Sequence, residues 1–476
     1  MKKLFIFILT VTFLTSCTED IQDFNINPKV ATSAQAAHLF SYSQYNLAKQ
    51  IANYDYNHNV SVFWANYATQ TTYIQESSYN ADDRDVGGNM FDNIYTECLY
   101  ELMKARDIIN SKEVTAAETP LKNNKLAMIK VLEVYAYQYL VDSFGNIPFT
   151  EALDVENATP IYDDAATIYT AIIADLQAAA SSFDVSAGAG SFADADIIYG
   201  GDIAKWKKFA YTLHLKLGIR LADVDASKAQ SMIQASVSAG IFDSNDDSAL
   251  FSFINTEPLW SPIYDYFVFD SRNSDFVATE TFLKLLQDLG DPRVDAIYDD
   301  NVAAGMVGGV YGAEGNSFAS LTHLNPDWTN DPLLPGNMMD YSLAMFDLAE
   351  AAARGFIAGD AASYYNNGVE ASFANFGLSD SAAAYLAANP YDAADWKKSI
   401  GTQKYIASVI NPHEGWTESR RLGVPVLAAA ASNGVANPKR MTYPIDEELI
   451  NTTNFGSASS AMGGDKTSSA IFWDIN

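Results

Sequence analysis

Between His58 and Tyr79 aromatic and amide side chains are closely interleaved: Trp64, Asn66, Tyr67, Gln70, Tyr73, Gln75 and Tyr79. Flat apolar rings suit the C–H face of a pyranose, and amides suit its hydroxyls because they donate and accept at once. The same composition would equally serve a helix whose rings pack inward. A second set of aromatics, Trp260, Tyr264, Tyr266, Phe267, Tyr311 and Trp328, stands among prolines and glycines between Asn255 and Asn337. Long loops in a compact domain are usually functional or disordered, and this aromatic content argues against disorder. A binding surface is the natural inference, with packing of the loops on themselves as the competing one. Trp64, Tyr67, Tyr73, Trp260, Tyr264 and Trp328 are therefore the candidate ligand contacts, on chemistry and region.

Catalytic signatures are missing. There is no His-Glu-x-x-His zinc helix, since His413-Glu414 stands alone among five histidines. There is no Gly-x-Ser-x-Gly elbow, and Lys466-Thr467 follows Asp465 rather than the glycine of a phosphate loop. Nothing singles out an acid/base pair among the 59 carboxylates. Asp243, Asn245 and Asp247 imitate the first ligands of a calcium loop, but Ser248 and Ile254 stand where glycine and glutamate are needed. A structural turn is the better reading there. The expectation is a binding protein, not an enzyme, with no cofactor and no metal site.

Met1 to Ser16 has two lysines, an apolar run from Leu4 to Leu14 too short to span a bilayer, and then Leu14-Thr15-Ser16-Cys17. That is the pattern of a lipoprotein signal peptide, with Cys17 as the lipidated residue and residues 17–30 as its tether. Loss of Lys2 and Lys3 takes the formal charge from -30 to -32. Such acidity argues against nucleic acid and against close contact with anionic headgroups. The only other cysteine is Cys98, so no intrachain disulfide forms once Cys17 is acylated.

The elements that must position these residues are mostly helices. Apolar spacing predicts helices over 31–53, 89–110, 121–142, 163–183, 200–223, 226–239, 280–289 and 338–355, with alternation at Phe251 and Phe253 predicting a strand. In the 31–53 helix Leu39, Tyr42 and Leu47 are expected inward. Asp202 caps the 200–223 helix, whose face carries Trp206, Phe209, Leu213, Leu217 and Leu221, with Lys205, Lys207, Lys208 and Lys216 mostly elsewhere on the wheel. Helices in succession, joined in pairs, suggest stacked hairpins of the tetratricopeptide kind, though strict consensus repeats are absent.

Several motifs recur in order. The run Lys205-Trp206-Lys207-Lys208-Phe209-Ala210 resembles the W-K-K-F-A-N-S-L helix of the SusD/RagB family of outer-membrane lipoproteins, departing at Tyr211-Thr212 and Lys216. Asp142 to Phe149 resembles its D-x-F/Y-G-x-I/V-P turn, and Ala349-Glu350-Ala351-Ala352 with Arg354-Gly355 resembles its A-E-A-A-x-R-G. Tyr365 to Ser372, Gln403-Lys404-Tyr405-Ile406-Ala407, Trp416 to Pro425, and Arg440 to Pro444 with Glu447 and Asn451 resemble the rest. The resemblance covers nearly the whole chain after residue 30. It implies a mainly α, tetratricopeptide-like scaffold over 31–476, with a loop-rich binding lobe at about 255–337. It also implies a lipid-anchored, surface-exposed outer-membrane protein, for which the acidic Thr18-Glu19-Asp20 resembles a Bacteroidota export signal. A SusC-like TonB-dependent β-barrel transporter is the implied partner, and an oligosaccharide the implied ligand. An oligopeptide, as in RagB-like members, is the alternative, and a surface enzyme the third reading.

Overall fold

The computed structural model describes residues 35–187, 191–303 and 305–476. The leader, Cys17 and the tether lie outside the described residues. Among the described residues fourteen α-helices of seven or more residues carry the fold: α1 (Ala36–Ala52), α2 (Val86–Asp92), α3 (Tyr100–Asn110), α4 (Thr119–Phe144), α5 (Ala165–Ser182), α6 (Ile203–Arg220) and α7 (Ala226–Ala239) form the first half. The second half holds α8 (Glu280–Asp288), α9 (Tyr341–Ala353), α10 (Ala361–Asn375), α11 (Ser379–Ala388), α12 (Trp396–Ala407), α13 (Pro412–Leu422) and α14 (Thr452–Ala461). Neighbours in sequence pack as neighbours in space: α4 on α5, α5 on α6, α6 on α7, α9 on α10, α10 on α11 and α12 on α13. This is the helical-hairpin architecture expected of the chain. Among the described residues the strands form four short antiparallel pairs.

Local chemistry sets the helix ends. Side chains of Asp164, Asp202, Asp225 and Asp340 accept the free N–H groups at the starts of α5, α6, α7 and α9. α4 is buried nearly all round, as its apolar composition requires, and stops at Gly145 with φ of 85°. A Cβ at Gly145 would lie 2.7 Å from the Met462 side chain, so both backbone and space demand glycine. The expected helix from Met338 starts later. Gly336–Met339 pairs instead with Ala249–Phe251, and Asp340 caps α9 only afterwards. The expected 89–110 helix is interrupted by a π-helical stretch, Asn93–Leu99, between α2 and α3.

Lys216 corrects the helical wheel. It is buried, pairs with Glu414, and lies 5.3 Å from the Tyr135 ring centre. It belongs to an ionic seam that joins five helices. Arg220 of α6 reaches Asp142 of α4 at 3.2 Å and Glu414 of α13 at 2.9 Å, and also meets Glu418. Lys404 of α12 meets Glu418 at 2.7 Å and contacts Asp347 of α9. Arg421 clamps Glu350 and Glu418, and Arg354 links Glu350 to Asp223 at 2.8 Å each. Burial would push the Glu350 carboxyl up, but Arg421, Arg354 and Lys404 override it and hold its pKa at about 2. Many of the motif residues thus pin the helical stack together.

Candidate functional site

A cleft of about 490 Å³ opens where the C-terminal end of α1 meets α2, the π-helical stretch and the loop after Trp260. Helical spacing puts Asn46, Gln50 and Asn53 on one stripe of α1, and Gln50 and Asn53 reach the cleft. The opposite wall is Asn89, Asp92, Asn93 and Glu97. The loop wall is Pro262, Asp265, Tyr266 and Asp270, with Asp55 and His58 at one end.

These polar groups are held in place by one another and by the backbone. Asn93 Nδ2 donates to Gln50 Oε1 at 3.1 Å, and Gln50 Nε2 donates to the His58 carbonyl at 2.9 Å. Asn89 Nδ2 donates to the Asn57 carbonyl at 2.8 Å. His58 Nδ1 lies 2.9 Å from Asp55 Oδ2, and this contact helps lower the Asp55 pKa against the effect of burial. Asp270 is shifted upward, by burial first and then by the charges of Asp265 and Asp55. The cleft therefore offers many fixed hydrogen-bonding groups with excess negative charge. Such a lining suits hydroxyl-rich, uncharged or cationic ligands better than polyanions.

On the loop side Tyr266 lines the cleft, and further aromatic rings pack behind the lining residue Asp265. The Trp260 indole N–H donates to Asp265 Oδ1 at 2.6 Å, and its ring packs 5.4 Å from Tyr264 and 5.1 Å from Phe269. Phe269 is 54% exposed, although its neighbours Tyr266 and Phe267 are buried. Beyond Asp270, Arg84 and Arg272 lie over the Tyr56 ring at 4.8 and 5.7 Å and each stands 5.9 Å from the Tyr73 ring. Tyr73 is 56% exposed and sits at φ of 52°, a backbone conformation rare for a tyrosine.

Of the six ring candidates, Trp260 and Tyr264 come together next to the cleft's loop wall, while Tyr73 stands apart from the cleft lining beside Arg84 and Arg272. Trp328 does not join them. It lies in a separate hollow of about 140 Å³, edge-on to Tyr54 at 6.1 Å, with Ile263 and Leu334. Trp64 and Tyr67 are corrected outright. Their relative exposures are 0% and 1%, so neither offers a face to a ligand. Trp64 packs edge-on to Trp416 at 5.1 Å, while Tyr67 stacks on Tyr405 and donates its hydroxyl proton to the Tyr405 carbonyl at 2.6 Å. The inward-packing alternative is the correct one for these two. Tyr42, expected inward, is 44% exposed and bonds to Glu97.

The amide and carboxylate walls were missed from sequence. The available signal was the stripe of Asn46, Gln50 and Asn53 at four- and three-residue steps, polar residues on a helix face turned toward protein. The calcium-like turn is structural: Lys208 Nζ sits 2.8 Å from both Asp243 and Asp247. Among the described residues no group of three or more His, Cys, Asp and Glu side chains is placed to hold a metal ion.

No curated protein matches the chain. Similar solved structures include a chitin-binding protein with 26% identity and TM-score 0.81, spanning 93% of this chain and 100% of that one. A SusD-like protein from Bacteroides thetaiotaomicron has 25% identity and TM-score 0.77, over 93% and 99%. A chitin-binding SusD homolog from Flavobacterium johnsoniae has 22% identity and TM-score 0.75, over 93% and 97%, and supports the fold alone. The family model SusD-like_2, described as "Starch-binding associating with outer membrane", matches residues 28–444, and with that extent of match this chain belongs to the SusD-like family.

Proposed function

We propose that this protein captures oligosaccharide at the cell surface and passes it to a SusC-like TonB-dependent transporter, without cleaving it. The observation that carries the reading is the cleft itself: about 490 Å³, walled by amides and carboxylates, with Trp260 bonded to its lining residue Asp265 and packed on Tyr264 and Phe269. Pocket volumes of this order hold a few sugar rings, and a polar wall with aromatic rings beside it suits a pyranose. The binding named for the family and for the chitin-binding relatives supports the same ligand class.

Capture and delivery need the protein to stay at the membrane. Acylation at Cys17 is the proposed anchor, each buried CH2 contributing ~0.8 kcal/mol, so that several chains together hold a protein stably. Confinement to the membrane plane raises the effective concentration of loaded protein at the transporter. No helix among the described residues is long and apolar enough to cross a membrane.

The test is calorimetry on the chain from Thr18 onward, against neutral polysaccharide fragments, acidic ones and mixed oligopeptides, with each ligand checked for breakdown. Saturable binding of a neutral or amino-bearing glycan without turnover is expected. Binding of peptides alone would replace this reading with the RagB-like one.

A further inference from the structure

A second large hollow, about 520 Å³, opens at the opposite end of α1, between its first turn, the α3–α4 corner and the segment at Ser191–Ala193. At 1.5 Å per residue, the length of α1 puts it on the order of 20 Å from the amide-lined cleft. Its charge is reversed. Lys112, Lys122 and Lys125 line it, in a chain whose net charge is -30. Glu118 is the one carboxylate among its described lining residues, and it is turned to Thr115, accepting from that residue's N–H at 3.0 Å and hydroxyl at 2.8 Å.

The three ammonium groups have no carboxylate in ion-pair range among the described residues. Lys122 donates to the carbonyls of Asn110 and Lys112 at 3.1 and 2.8 Å, which ties down the corner that carries Lys112. Lys125 stands 5.6 Å from the Phe192 ring centre, and its pKa is lowered by burial and then by Lys112. Concentrated positive charge is therefore left unneutralised. Ser191 adds an independent sign of a missing partner. Its hydroxyl is fully buried on the lining of the hollow and makes no hydrogen bond among the described residues. A buried hydroxyl left unmet is costly, and a ligand oxygen would relieve it. Around these polar groups the walls are apolar: Ile109, Val114, Leu121 and Phe192.

We infer that this hollow is a binding site for a phosphate group carried on an apolar body, the headgroup of an anionic phospholipid. Three lysines and a hydroxyl supply several donors around one volume, which suits a phosphate with its spare oxygens better than a carboxylate with two. The apolar walls would cover the glycerol and the first methylenes, which a free inorganic ion cannot use. In a family described as associating with the outer membrane, such a site gives a protein of strongly negative charge a specific hold on an anionic surface that would otherwise repel it.

The test uses the chain from Thr18 onward, which keeps every described residue, titrated below the micelle concentration with dihexanoyl phosphatidylglycerol and separately with inorganic phosphate. Saturable binding of the lipid is expected, at least tenfold tighter than phosphate. The double substitution Lys112→Gln with Lys125→Gln should weaken it tenfold or more, and Val114→Ser should weaken it about threefold. Melting temperature and glycan affinity should not change in these variants, which separates loss of the site from loss of the fold. Equal affinity for inorganic phosphate would overturn the lipid assignment. Absence of saturable binding, or binding untouched by the double lysine substitution, would overturn the site.

Discussion

The Trp260 indole N–H donates to the Asp265 carboxylate at 2.6 Å, so a ring next to the cleft is oriented by a residue that lines it. A charge-assisted bond of this kind fixes ring orientation before a ligand arrives. Preorganisation matters because a stacking surface that must be ordered on binding loses part of its contribution to entropy.

Asp265→Ala should therefore weaken glycan binding by about three- to tenfold through Trp260, although Asp265 also lines the cleft. Asp265→Asn keeps an oxygen that can accept the indole N–H and should lose less. Titration calorimetry of the two variants side by side checks the order. Equal losses would mean that the carboxylate contacts the ligand directly.

Trp64→Ala should act on stability rather than on recognition. The ring is fully buried against Trp416, and removing such a ring costs about 3–5 kcal/mol. Urea denaturation should show the loss, while the fraction that remains folded should bind glycan with unchanged affinity.

Glu350→Gln breaks one side of the buried ionic seam and leaves Arg421 short of a charge. Breaking a buried pair in this way destabilises by about 3–5 kcal/mol. Replacing Glu350 and Arg421 together by Leu and Met should cost much less than the sum of the single losses, which a double-mutant cycle in urea would reveal.

Stability should fall as the solution is acidified from pH 7 to pH 3. Burial lowers the His214 pKa from 6.5 to about 4. The unfolded chain therefore takes up a proton below pH 6.5 that the folded chain refuses until about pH 4, and stability is lost across that window. Ser236 gives its proton to the Met232 carbonyl, so its oxygen accepts from His214 Nδ1 at 2.8 Å, and an added proton would have to sit on Nε2, which is buried without a partner among the described residues. The Glu350 contribution is complete above pH 4.5 and is lost on approach to pH 2. Each is on the order of 3 kcal/mol. Buried Asp340, raised by burial, works in the opposite sense and recovers part of the loss. Melting temperature against pH, for the parent and for His214→Gln, checks this: the variant's curve should be flatter between pH 6.5 and 4.

Much of the scaffold was legible because helix periods and caps are local. The Ala226–Ala239 helix was read with its observed bounds, and Asp202 caps α6 as its position suggested. Where tertiary pairing competed, reading failed. Met338 and Met339 read as the start of a helix, but Gly336–Met339 finds a strand partner in Ala249–Phe251. Lys216 looks like a solvated lysine, and only Glu414, 198 residues away in sequence, makes its burial possible. The site was half legible. Trp260 and Tyr264 stay candidates because the loop leaves their rings partly open, whereas Trp64 and Tyr67 carry the same chemistry and spend it on Trp416 and Tyr405. Burial is a property of the assembled fold, and residue type alone does not encode it.

The most direct test of the central claim sets two tryptophans against each other. Affinity of the parent, Trp260→Ala and Trp328→Ala for one bound oligosaccharide would be measured by calorimetry, with melting temperatures as the control for folding. The cleft reading predicts a loss of tenfold or more for Trp260→Ala and little change for Trp328→Ala. Binding that survives Trp260→Ala and vanishes with Trp328→Ala would contradict it and move the ligand to the smaller hollow beside Tyr54.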